Sequence, residues 1–96
     1  MFIASAYVIS SSDDVVADEG SSVTLEVIAV GIPDNITYEW RKDGVIISGQ
    51  TSNTLTINPV SFSDIGAYTV TPSNSEGSFN STTIQVDVKG TMKLPI

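Results

Sequence analysis

The stretch that decides the fold is Asp64-Ile-Gly-Ala-Tyr68-Thr-Val70-Thr-Pro72-Ser-Asn74-Ser-Glu-Gly77, "DIGAYTVTPSNSEG". Turn signals bracket it, Ser63-Asp64-Ile65-Gly66 in front and Asn74-Ser75-Glu76-Gly77 behind. The run between them reads as an extended strand with one irregularity. Pro72 cannot donate to a sheet ladder, so the strand is expected to end there or to bulge, and its pairing with the strand that follows is expected to falter nearby.

Outward from this stretch, period-two alternation recurs. In Val23-Thr-Leu25-Glu-Val27-Ile-Ala29 the odd positions are apolar, so Val23, Leu25, Val27 and Ala29 are expected to face inward, while Ile28 departs from the pattern. Ile36-Thr-Tyr38-Glu-Trp40-Arg, Thr54-Leu55-Thr-Ile57-Asn and Ile84-Gln-Val86-Asp-Val88-Lys alternate as cleanly. Turns between them fall at Asp18-Glu-Gly20, Gly31-Ile-Pro33-Asp34, Lys42-Asp43-Gly44 and Ser48-Gly49, the punctuation of a sandwich or barrel. Asp43-Gly44 between two β runs supplies the positive φ of a tight hairpin. No helix of three turns finds room. Residues 8–89 are therefore expected to form one body, with 1–7 as an N-terminal extension and 90–96 as a C-terminal tail.

Ninety-six residues make one domain, able to bury roughly 60 to 70% of the surface its unfolded chain would expose. The composition is 41% hydrophobic and only 16% charged, and rich in β-branched Val, Ile and Thr, which points to an all-β chain. Eleven acidic against four basic residues give a net charge of -7, which would repel a phosphate backbone or an anionic membrane, so neither nucleic acid nor membrane is an expected partner. The opening Met1–Ile9 run is apolar but lacks a positive leader segment and is too short to span a bilayer. With no cysteine and no leader, the chain is expected to be made in a reducing cytoplasm. Asn35-Ile-Thr37 and Asn80-Ser-Thr82 match a glycosylation acceptor, which without secretion leaves them turn and strand residues.

These residues together resemble the immunoglobulin superfamily in its I-set form. "EGSSVTLEVIAVG" (Glu19 to Gly31) looks like its strand B, "YEWRKDG" (Tyr38 to Gly44) like strand C, "TSNTLTI" (Thr51 to Ile57) like strand E, and "DIGAYTV" (Asp64 to Val70) like the corner into strand F. The resemblance implies a two-sheet antiparallel Greek-key sandwich with Trp40 at its centre, Leu55 in its core and Tyr68 in a tyrosine corner beside Asp64, where Gly66 begins strand F. It also places Val27 and Val70 where the family carries its inter-sheet disulfide. That cross-link would contribute about 4 kcal/mol in the loop-entropy model, and burying each valine contributes roughly 1.5 to 3 kcal/mol, so packing can largely substitute.

The chain contains no histidine and no cysteine, which removes the usual general base, the thiol nucleophile and the commonest transition-metal ligands. Asp13-Asp14 and Asp18-Glu19 offer oxygens but match no calcium loop, and the serines lack a base. No enzymatic activity and no cofactor are expected. Disulfide-free immunoglobulin-like domains are similar to those on tailed bacteriophage particles, so the favoured expectation is a capsid decoration protein, with the major capsid protein or another virion component as partner. The alternatives are an intracellular domain from a muscle-type array and a bacterial surface adhesin domain. The Met1 start and short C-terminal extension read as those of a complete gene product. Phe2, Ile3, Met92, Leu94 and Ile96, outside the expected sandwich, are the candidate docking residues. A second candidate surface is the loop end formed by 31–35 and 73–77.

Overall fold

The computed structural model describes residues 3–78 and 81–90. Its strands are β1 (Ala4–Ser11), β2 (Val15–Asp18), β3 (Val23–Ile32), β4 (Thr37–Lys42), β5 (Val45–Ile46), β6 (Thr54–Ile57), β7 (Gly66–Ser73) and β8 (Thr82–Lys89), with a 3-10 turn at Phe62–Asp64. They form two sheets, of order β1-β3-β6 and β2-β8-β7-β4-β5. Pairing is antiparallel except between β2 and β8, which run parallel from Val15↔Val86 to Asp18↔Lys89.

Each inner face follows from the alternation. Val23, Leu25 and Val27 of β3, Leu55 of β6, Trp40 of β4, Tyr68 and Val70 of β7, and Ile84, Val86 and Val88 of β8 are buried in one cluster. Val27, Trp40 and Val70 are all 0% exposed, and Val70 lies directly opposite Trp40 in the β4–β7 register. The two valines thus sit in opposite sheets with the indole among them. At roughly 1.5 to 3 kcal/mol for each fully buried valine side chain, the pair contributes on the scale of a cross-link.

The β4–β5 connection is a two-residue hairpin. Asp43 (φ 50) and Gly44 (φ 87) are both left-handed, and Lys42 pairs with Val45 across them. Two consecutive positive φ angles match the right-handed twist of the flanking strands, which is why Asp-Gly suits this place. The Asp43 carboxylate also accepts the Ala67 N–H at 2.9 Å, tying the hairpin to the start of β7.

Pro72 lies within β7, one residue before its end, and is buried. Asp43 N–H donates to the Ala67 carbonyl, so odd-numbered β7 residues direct their backbone groups to β4 and even-numbered ones to β8. The missing N–H of Pro72 therefore points toward β8, whose described register with β7 stops at Val70↔Thr82.

The N-terminal boundary differs from the sequence expectation. Residues 4–7 belong to the sandwich: β1 begins at Ala4, which pairs with Ile32, and Ala6 is fully buried. Small, partly polar Ala-Ser-Ala carries little strand signal, but small side chains are what the close approach of Gly31 to Ala6 requires. After Ser11 the chain crosses to the other sheet. The Ser12 hydroxyl donates to the Glu26 carbonyl at 3.1 Å and accepts the Glu26 N–H at 2.8 Å, standing in for a ladder partner as β1 departs. Asp14 then accepts the Gln85 N–H at 2.9 Å, delivering β2 to the edge of β8.

Candidate functional site

Two corners of the sandwich are organised by side-chain chemistry. At the first, the Tyr68 hydroxyl donates to the Asp64 carbonyl at 2.7 Å, and the Asp64 carboxylate accepts the Ser61 N–H at 2.8 Å and its hydroxyl at 3.2 Å. The tyrosine corner expected from the sequence is present, with Gly66 opening β7. A Cβ on Gly66 would stand 2.7 Å from an Asp43 carboxylate oxygen, so a larger residue there would have to push that carboxylate off the Ala67 N–H it accepts. Burial, then the negative charges of Asp64 and Asp43, push the Tyr68 hydroxyl up from 10.0 to about 12. These are fold-holding interactions: Trp40 likewise spends its indole N–H on the Ser52 carbonyl at 2.8 Å.

At the second corner Asn74 acts as a clasp. Its side-chain amide donates to the Ala4 carbonyl at 2.9 Å and to the Pro33 carbonyl at 2.8 Å, while its side-chain oxygen accepts the Glu76 N–H at 3.0 Å. One residue in the β7–β8 turn therefore holds the start of β1 and the β3–β4 loop together. Ala6 N–H adds a bond to the Gly77 carbonyl at 3.3 Å, and Ser5 a hydroxyl bond to the Glu76 carbonyl at 3.0 Å. The loop end formed by 31–35 and 73–77 is thus an internally bonded junction. Its Asn-Ser-Glu-Gly sequence signals a turn; nothing local in it signals the long-range bonds to positions 4 and 33.

Of the candidate docking residues, Ile3 is well exposed and lies immediately before β1. Phe2, Met92, Leu94 and Ile96 lie outside the described residues. Sequence reasoning passed over a larger apolar feature, the outer face of β1 and β3, which exposes Ile9, Ile28, Val30 and Ile32. The departure of Ile28 from alternation was its one visible sign. Of the two acidic pairs, Asp14 accepts the Gln85 N–H, and Asp18 stands 3.8 Å from Lys89 at the surface. Among the described residues no group of three carboxylates or other ligating side chains is placed to hold a metal ion, and no helix is long and apolar enough to cross a membrane.

A family model described as an immunoglobulin domain matches residues 7–74, and the chain belongs to that family, as an I-set-like member without the disulfide. A curated relative, the decoration protein of Escherichia phage T5, is 38% identical over 76 residues, covering 78% of this chain and 46% of that protein. The chain thus spans less than half the length of the phage protein it matches. Among solved structures, titin domain M7 superposes with a TM-score of 0.80 at 26% identity, over 93% of this chain and 98% of its own. The I-band fragment I67-I69 from titin gives 0.79 at 27% identity, over 91% of this chain and 33% of that one.

Proposed function

We propose that the chain is a non-enzymatic structural module, a bacteriophage capsid decoration protein that displays its immunoglobulin-like domain on the virion surface. The observation that carries this reading is the 38% identity to the phage T5 decoration protein, which extends over most of the sandwich. The cysteine-free core supports it, because a virion component made in bacterial cytoplasm must fold without oxidation. The partner is the major capsid protein or another virion component, and Phe2 and Ile3 at one end, or Met92, Leu94 and Ile96 at the other, are the terminal residues proposed to reach it. The test is co-sedimentation of the purified chain with undecorated capsids of the phage whose genome encodes it. Saturable binding supports the reading; a chain that stays in the supernatant and is missing from purified virions refutes it.

The likeness to titin domains at 25–27% identity favours a second reading, a domain of an intracellular muscle-type array. The two are separated by the gene: coding sequence for further immunoglobulin domains on both sides of this chain would identify an array.

A further inference from the structure

The outer face of the β1-β3-β6 sheet changes character along its length. Toward its β6 half it is polar: Thr24 faces Thr56 with their hydroxyls 3.3 Å apart, and Glu26 faces Thr54. β6 pairs with β3 no further than Glu26. Beyond that point the outward side chains of β3 are Ile28, Val30 and Ile32, exposed by 49%, 36% and 48%. On β1, Tyr7 stands opposite Val30, and Ile9, 56% exposed, occupies the bulge between the Val8↔Ala29 and Ser10↔Ile28 pairs. Ala4 opposite Ile32 leads back to exposed Ile3, so the stripe runs toward the N-terminal end.

Same-face neighbours on a strand lie about 7 Å apart and cross-strand neighbours about 5 Å, so these side chains form one continuous apolar strip. Singly exposed apolar groups are ordinary; a contiguous set on adjacent strands marks an interaction surface. The sheet margins are guarded against chance pairing, since β1 bulges twice and β5 has only two residues. The apolar face carries no such guard.

Charge selects the occupant. The described cations Arg41, Lys42 and Lys89 all lie on β4 and β8 of the opposite sheet. The charged residues adjoining the strip on β3 are acidic: Glu26 precedes Ile28 on the same face, and Asp34 follows Ile32 in the chain. We infer that the Ile9, Ile28, Val30 and Ile32 face docks a protein surface with an apolar centre and a rim of Lys and Arg. A second copy of the chain would set acidic rim against acidic rim, at a net charge of -7 apiece. This inference rests on the reading of the chain as one part of a larger assembly, and it deepens that reading by naming the attaching face.

The test uses the isotope-labelled full chain and two synthetic β-strand peptides with identical alternating Ile and Val, one carrying Lys at the intervening positions and the other Glu. Amide shifts are expected in β1 and β3 around Ile9, Ile28 and Val30, with at least tenfold tighter binding of the Lys peptide. The double variant Ile28→Lys/Val30→Lys, whose altered side chains point outward, should keep the spectrum of the opposite sheet and reverse the preference toward the Glu peptide. Equal affinities, shifts centred on the other sheet, or no binding of either peptide would overturn the proposal. Concentration-dependent shifts of this face without peptide would assign it to a second copy and also overturn it. The same double variant in capsid co-sedimentation separates the two readings. Undiminished capsid binding sinks the face alone, whereas a natural chain that never binds capsids sinks the virion reading while the peptide result stands.

Discussion

Replacing Val27 and Val70 together with cysteine should create the cross-link that this core lacks. Both positions are fully buried, in β3 and β7 of opposite sheets, within the cluster around Trp40. Closing a loop of roughly 43 residues removes about 13 cal/mol/K from the unfolded chain, or about 4 kcal/mol at 25 °C. Losing methyl packing at two sites offsets part of that. The reduced variant is expected to be about 1 to 2 kcal/mol less stable than the natural chain, and the oxidised form about 2 to 3 kcal/mol more stable. For a domain of this size, 4 kcal/mol between the two redox forms corresponds to a midpoint difference on the order of 15 to 30 °C. Thermal and urea unfolding followed by Trp40 fluorescence, with and without dithiothreitol, reads both quantities. Thiols that remain free under mild oxidant would refute the placement of the valines, because a disulfide tolerates only about 4.4 to 6.8 Å between Cα atoms. A disulfide that forms without separating the two midpoints would refute the energetic argument instead.

Asn74→Ala removes two donated bonds, to the Ala4 and Pro33 carbonyls, and is expected to cost about 1 to 3 kcal/mol. Hydrogen exchange at the Ala6 amide should accelerate with it, and unchanged exchange would show that the clasp is not holding β1. In Gly31→Ala the added Cβ would fall 2.7 Å from the Asn74 side-chain nitrogen and 3.1 Å from the Ala6 Cα, so a loss of about 1 to 3 kcal/mol in urea unfolding is expected. Tyr68 binds its proton more tightly folded than unfolded, its hydroxyl being pushed up to about 12. Its contribution is therefore complete below pH 10.0 and lost as pH rises through about 12. An absorbance titration should show one tyrosine ionising near pH 12, and Tyr68→Phe should abolish that step while costing about 0.5 to 1.5 kcal/mol at neutral pH through the lost bond to Asp64. Complete tyrosine ionisation by about pH 10.5 would contradict the burial argument.

The inner faces were legible in the sequence because burial imposes a strict two-residue period, as in Val23-Thr-Leu25-Glu-Val27. The Asp43-Gly44 hairpin was legible because its backbone angles exclude most other residues. What escaped was set by distance in the chain. Ala4–Tyr7 belongs to a strand only through its pairing with residues some 25 positions later, and Asn74 looks like any turn asparagine until positions 4 and 33 are brought to it. β2 escaped for the same reason, since its partner is a parallel strand some seventy residues away. The outer apolar face was half visible: Ile28 broke the alternation, but Val30 fell at the end of the strand-B-like run and Ile32 within the Gly31–Asp34 turn signal.

The Asn74 clasp also bears on how far the domain can stand from whatever holds its N-terminus. With the amide engaged, the start of β1 is held to the β7–β8 turn from Ala4 onward. Were that one side chain to let go and the first four residues of β1 to peel away, about 13 Å of extra reach would be released. That release would also have to open the Ala4 and Tyr7 pairs with β3 and the Ser5 and Ala6 bonds to the β7–β8 turn, so the clasp acts as one latch of a shared lock.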